Sequence, residues 1–129
     1  MLIKLSGTKD ERFVAVVDDE QSMREAVESL LRSAGHRCEG FASAEALLAC
    51  PRLAAMACLV LDIGLPGMDG LELQQRLLHQ RVPIVFITAA TDLLPLRRTQ
   101  ALQAGAIAFL PKPFSEQELL DAVRVAVGT

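Results

Sequence analysis

The sequence predicts an α/β domain built on a parallel sheet, and three observations carry that prediction. Short apolar runs alternate five times with longer stretches of helical period, the order expected when each strand is followed by a helix. Three of those runs are nearly continuous in apolar residues, as in strands covered by helices on both faces. The chain has 129 residues, 51% of them hydrophobic and 22% charged, with a formal charge of −3, which suits one compact domain and leaves no room for a second. A domain of this size buries roughly two-thirds of the surface its unfolded chain exposes, enough for a core without disulfides or a structural metal.

The elements follow in order. A polar lead, Thr8 to Arg12, precedes the first run, Phe13 to Val17. Met23, Ala26, Val27, Leu30, Leu31 and Ala34 then recur at three- and four-residue steps, which places one apolar stripe on a helix from Gln21 to Ala34 that Gly35 ends. The second run, Arg37 to Phe41, mixes polar residues with apolar ones and is expected at a sheet edge. A helix over Ser43 to Ala49 leads to the third run, Ala57 to Leu61, and a helix over Leu71 to Gln80 leads to the fourth, Pro83 to Ile87. The next helix spans Leu94 to Gln103, with Pro95 in its first turn, because deeper inside it would cost about 3 kcal/mol. Gly105 closes that helix, Ile107 to Leu110 is the fifth run, and Ser115 to Val127 is the last helix. It opens on Ser115-Glu116-Gln117-Glu118, a capping-box pattern in which Ser115 and Glu118 satisfy each other's backbone amides.

Composition excludes several function classes. There is no Trp or Tyr and only five Phe, so the aromatic platforms on which single-strand binders stack bases are missing. The net charge and a pI near 5.3 lack the basic footprint of phosphate-backbone binding, and no direct nucleic-acid contact is expected. Cys38, Cys50 and Cys58 form an odd set with neither CxxC spacing nor a paired His, which argues for small buried hydrophobes in a reducing cytoplasm rather than disulfides or zinc ligands. The longest apolar runs fall far short of the ~20 residues of a membrane span, and Met1 to Leu5 carries no signal-peptide core.

The informative polar residues sit where the strands end. Asp18 and Asp19 follow the first run, Asp62 the third, Thr88 the fourth, and Lys112 comes just after the fifth. Parallel strands end on one edge, and ligands of such sheets bind there, where the strand order reverses. With the second strand at an edge, the order 2-1-3-4-5 sets the first and third strands side by side and brings Asp18, Asp19 and Asp62 together, with Thr88 and Lys112 approaching from the other side. Taken singly, Asp18 reads equally as a helix cap and Asp62 and Asp69 as turn residues. Taken together, three carboxylates in one pocket repel and call for protons or a cation. Mg²⁺ fits, since it takes one or two carboxylates, keeps waters and completes its shell from a phosphate. Lys112 supplies a mobile charge for phosphate oxygens and Thr88 a hydroxyl donor. A carboxylate beside the metal can also act as a nucleophile and form an aspartyl phosphate, and Asp62, alone at the tip of the central strand, is the candidate.

Four motifs carry a resemblance: Val16-Val17-Asp18-Asp19-Glu20, Leu61-Asp62-Ile63-Gly64-Leu65-Pro66-Gly67-Met68-Asp69-Gly70, Phe86-Ile87-Thr88-Ala89 and Phe109-Leu110-Pro111-Lys112-Pro113-Phe114. In this order and spacing the chain resembles the receiver domain of bacterial two-component response regulators, over about Phe13 to Val127. The resemblance implies a flavodoxin-like (βα)₅ doubly wound sheet of order 2-1-3-4-5, with residues 1–12 a lead and 13–127 the receiver domain. It implies that Asp62 accepts a phosphoryl group from a sensor histidine kinase or phosphotransfer protein and later loses it, a phosphoacceptor rather than a turnover enzyme. Asp19 would ligate Mg²⁺ directly, Asp18 mainly through water, and the Gly64 carbonyl would be a third protein ligand. Thr88 and Lys112 would bind the phosphoryl oxygens, Phe109 would be the rotating aromatic that reports the site's state, and the Lys112-Pro113 bond would be cis. The reader of that state would be a downstream output protein or domain. With nearly all 129 residues used by the receiver, the expectation is a single-domain regulator or the excised receiver of a longer protein.

Departures from the family pattern carry expectations of their own. Phe109 stands where many relatives have Tyr, so any switch there rests on burial alone. Gly64 and Ala90 are small where longer side chains often flank the phosphoryl group, which should let water reach it. Replacing both with bulky residues should lengthen the phosphoryl half-life, measured by acid-quenched decay, and an unchanged half-life would sink the idea. Asp92-Leu93-Leu94-Pro95-Leu96-Arg97-Arg98 places three Leu within four positions, more than one buried stripe absorbs, and suggests a switchable docking face that could include a phosphorylation-dependent homodimer. Three rivals remain open at this level. A haloacid-dehalogenase-type phosphatase needs a general acid where Gly64 stands, and an FMN carrier would set its phosphate against Asp18 and Asp19. The third is a receiver-like interaction module that is never phosphorylated.

Overall fold

A computed structural model describes residues 12–89 and 95–128. Five parallel strands, β1 (Phe13–Val17), β2 (Cys38–Phe41), β3 (Met56–Asp62), β4 (Ile84–Thr88) and β5 (Ala108–Pro111), form one sheet of order β2-β1-β3-β4-β5. The helices are α1 (Gln21–Ser33), α2 (Ala44–Leu48), α3 (Gly70–Arg76), α4 (Pro95–Gln103) and α5 (Glu116–Val127). This is the doubly wound sheet that the alternating pattern predicts, with β2 at an edge. Among the described residues no helix is long and apolar enough to cross a membrane.

The period-2 alternation of strand side chains divides the core into two layers. Phe13, Ala15, Val17, Leu59, Leu61 and Phe86 face the layer that holds Leu47 of α2, Leu73 of α3 and Ala101 of α4. Val14, Val16, Cys58, Val60, Val85 and Ile87 face the opposite layer, with Val27 and Leu31 of α1 and Leu119, Val123 and Ala126 of α5. Every residue of β1, β3 and β4 is buried, which is why those runs read as continuously apolar.

Local chemistry ends the elements largely as the sequence implies. Gly35 and Gly105 adopt φ of +93° and +102° just after α1 and α4, a conformation that costs a glycine little. The capping box at α5 is complete: the Glu118 N–H donates to Ser115 Oγ at 3.0 Å, and the Ser115 N–H donates to Glu118 Oε1 at 2.8 Å. α4 begins at Pro95 itself. The segment expected as one helix to Gln80 is shorter; α3 ends at Arg76, and Leu78–Gln80 form a 3₁₀ turn. Arg81 then turns left-handed at φ +52°, because Pro83 admits no further helix and the chain must swing into β4. Ala90, Leu93 and Leu94, singled out above, lie outside the described residues.

Candidate functional site

The carboxyl ends of β1, β3, β4 and β5 bring together most of the residues the sequence singled out. Asp18 leaves β1 and Asp62 ends β3; both are buried, while Asp19 is exposed. One carboxylate oxygen from each of the three lies within 4.8 Å of the others. β1 and β3 are hydrogen-bonded neighbours with Val17 opposite Leu61, so the residues that follow this pair, Asp18 and Asp62, reach the same point.

Each side chain is held. Asp18 Oδ1 accepts the Glu20 N–H at 2.9 Å, and the Asp18 carbonyl accepts Arg24 Nη1 at 2.9 Å. Asp18 is therefore a turn anchor next to α1 rather than its N-cap, which is Glu20. Asp62 Oδ1 accepts the Gly64 N–H at 3.0 Å, and the Ile63 N–H donates to the Ile87 carbonyl at 3.1 Å, tying the exit of β3 to β4. The Lys112 N–H donates to the Thr88 carbonyl at 2.7 Å, and the Lys112–Pro113 bond is cis. From that position Lys112 Nζ donates to Asp18 Oδ2 at 3.4 Å and stands 3.7 Å from Asp62 Oδ2.

Burial pushes the Asp62 carboxyl above its ordinary value; the Gly64 N–H and the Lys112 ammonium pull it back, and Asp18 and Asp19 add to the rise. The one ammonium in the cluster pairs with two of its three carboxylates, which leaves the cluster short of positive charge. A hard divalent cation matches that deficit and this all-oxygen donor set, so Asp18, Asp19 and Asp62 fit Mg²⁺.

Thr88 is fully buried at the tip of β4, one residue beyond Ile87, which pairs with Asp62. Its hydroxyl donates to the Ala89 carbonyl at 3.2 Å rather than to a carboxylate. Phe109 is buried on β5 opposite Phe86, with ring centroids 5.9 Å apart, so it packs inward in this state. Cys58 is buried among the strands and its thiol is pushed up to about 12, which suits the expected inert hydrophobe.

Arg24 and Gln74 escaped the sequence reading, as did the pairing of Asp69 with Arg97. Arg24 braces Asp18 through a backbone carbonyl, a contact without a motif. Asp69 caps α3 by accepting the Glu72 N–H at 3.0 Å and pairs with Arg97 of α4 at 3.1 Å. Gln74 is buried between α3 and α4 and donates from Nε2 to the Ala101 carbonyl at 3.0 Å. The only signal for Gln74 was its place among apolar residues of α3, and periodicity alone did not separate it from a surface glutamine.

The response regulator receiver domain family matches residues 14–124. Response regulator protein TmoT of Ectopseudomonas mendocina is 42% identical over 119 residues, covering 91% of this chain and 53% of that protein. Nodulation protein W of Bradyrhizobium diazoefficiens is 44% identical over 115 residues, 88% of this chain and 50% of its own length. The chain therefore spans about half the length of the curated relatives it matches. The crystal structure of a response regulator receiver protein from Burkholderia phymatum superposes with a TM-score of 0.78 at 40% identity, covering 91% of this chain and 95% of that one.

Proposed function

The chain belongs to the response regulator receiver domain family, and from that premise we propose that Asp62 is its phosphoacceptor, supplied by a histidine kinase or phosphotransfer protein. The observation that carries this reading is the convergence of the Asp18, Asp19 and Asp62 carboxylates within 4.8 Å, with Lys112 facing two of them.

In the proposed reaction a carboxylate oxygen of Asp62 attacks the phosphorus of the donor. The new O–P bond forms an acyl phosphate as the donor's P–N bond breaks, and the leaving nitrogen keeps the electron pair and takes a proton. Asp18, Asp19, Asp62 and the Gly64 carbonyl would hold Mg²⁺, which when bound neutralises charge on the phosphoryl oxygens. Lys112 contributes a positive charge to the same oxygens and exchanges its present carboxylate partners for them. The Gly64 N–H holds Asp62 Oδ1, so Oδ2, once Lys112 turns to the phosphoryl oxygens, is the oxygen that attacks. Hydrolysis of the acyl phosphate returns Asp62, so the protein stores a signal and does not turn over substrate.

Phosphorylation adds negative charge at the strand tips, and the Thr88 hydroxyl, now on the Ala89 carbonyl, reorients toward it. If the active arrangement bonds the group better by a few kcal/mol, populations shift on the face formed by α4, β5 and α5, with Phe109 moving within it. A downstream output protein or domain in the cytoplasm reads that face, and a second copy of the chain is one candidate reader. Light scattering with and without a phosphoryl mimic should show dimers only with the mimic; a monomer in both conditions excludes the homodimer.

Intact-mass measurement after incubation with acetyl phosphate tests the central claim. Wild type should gain one phosphoryl group only when Mg²⁺ is present, and Asp62→Asn should gain none. A variant that keeps the adduct refutes Asp62 as the acceptor, and a wild type without one favours the unphosphorylated interaction module.

A further inference from the structure

The helix after β4 is held to the body in an unusual way. Among the described side chains of α4 only Ala101 is buried, whereas α5 buries Leu119, Val123 and Ala126. Two polar ties to α3 do the rest: Arg97 pairs with the capping residue Asp69 at 3.1 Å, and Gln74 Nε2 donates to the Ala101 carbonyl at 3.0 Å. Space flanks the second tie on both sides. One cavity of about 330 Å³ runs from Gln74 and Ala104 to Leu77, Ile84 and Ile107. Another, of about 490 Å³, runs from the same two residues to Leu71, Gln100 and Gln103. Open grooves therefore border α4 on both sides of Gln74.

Gln74 is a poor choice if stability alone decides the residue. It is 3% exposed, and its Oε1 has no partner among the described residues, a buried acceptor that costs free energy. The Ala101 carbonyl does not need it, because the Ala106 N–H already donates there at 3.1 Å. A Leu or Met would fill the same volume with nothing left unsatisfied. What an amide adds is direction, since its hydrogen bond exists for one placement of α4 and weakens steeply away from it.

We propose that Gln74 is a positioning residue, an amide latch that holds α4 in the placement of the unphosphorylated state. The latch gives way when the Thr88 hydroxyl leaves the Ala89 carbonyl for the phosphoryl group and the active placement of α4 is favoured. The proposal rests on Asp62 being the phosphoacceptor, and it adds the residue that sets the balance between the two states. Removing the latch raises the share of the active state before any phosphoryl group arrives, and a ligand of that state then binds with higher apparent affinity.

Two readouts test it on Gln74→Met, with Gln74→Leu alongside. By calorimetry at saturating Mg²⁺, beryllofluoride should bind roughly three- to tenfold more tightly than to wild type, the span of one net hydrogen bond. By hydrogen exchange without Mg²⁺ or beryllofluoride, amides of 96–103 should exchange faster while those of α1 and α5 keep their wild-type rates. Unchanged affinity together with unchanged exchange in α4 overturns the latch. So does failure of both variants to fold, because the argument requires an apolar residue to be tolerated at this position. The acetyl phosphate adduct is measured on the same samples: its absence from wild type overturns the phosphoacceptor reading, while the exchange rates still judge the latch.

Discussion

Lys112→Met is expected to destabilise the metal-free protein by roughly 2–3 kcal/mol at neutral pH and to slow phosphorylation by small donors at least a hundredfold. Removing one partner from a buried ion pair costs several kcal/mol because the other charge stays buried without compensation. The figure is set lower here because the Lys112 side chain is 18% exposed and water relieves part of the loss. The pH dependence has a definite sign. Asp62 is already raised by burial, and Lys112 is one of the groups pulling it down, so the variant raises it further. A carboxyl raised in the folded state contributes stability that is fully present below its unfolded value and is lost as pH rises through its folded value. Wild type and variant should therefore unfold at nearly the same urea concentration in acid and diverge as Asp62 ionises. Mg²⁺ should close part of the gap, because a cation bound to the folded state alone adds stability. Equal urea midpoints at neutral pH would show that Lys112 does not compensate the cluster.

Gly70→Val should cost at least as much, by a different route. A Cβ at Gly70 would lie 2.8 Å from Ile63 Cα, 3.0 Å from the Asp62 carbonyl oxygen and 3.1 Å from Phe86 Cε1. Two of those neighbours are backbone, so no rotamer change relieves the contact. The first turn of α3 must lift off the residues that follow the proposed acceptor. Gly70→Ala is expected to lose about 2 kcal/mol, near the middle of the range for overpacking, and Gly70→Val more. Because the atoms displaced belong to Asp62 and Ile63, the rate of Mg²⁺-dependent phosphorylation should fall in the same order as the urea midpoint. If Gly70→Val matches wild type in both measurements, the close approach has no energetic weight.

The contrast among the glycines shows where sequence reasoning stops. Gly67 and Gly70 both read as turn signals. In the structure Gly67 is needed for a left-handed φ of +73°, while Gly70 is needed because the start of α3 folds back within contact distance of the exit of β3 and of Phe86 on β4. The first requirement is local and the second is not. The helices divide the same way: α5 carries its own start signal in Ser115 and Glu118, whereas α3 ends early because Pro83 and the path into β4 lie beyond its own residues.

The sequence by itself determined the α/β class, the edge position of β2, and the gathering of Asp18, Asp19, Asp62, Thr88 and Lys112 at one end of the sheet. It could do so because these follow from periodicity and from the rule that parallel strands end on one edge, and both are written in residue order. Only the tertiary structure decided that Lys112 spans Asp18 and Asp62, that the Thr88 hydroxyl rests on its neighbour's carbonyl, and that Phe109 packs inward on Phe86. It alone showed that Gln74 reaches α4 across 27 positions of chain. Such contacts depend on rotamers and on distances between elements far apart in sequence, and a glutamine on the surface of a helix and one buried beneath its neighbour are spelled the same way.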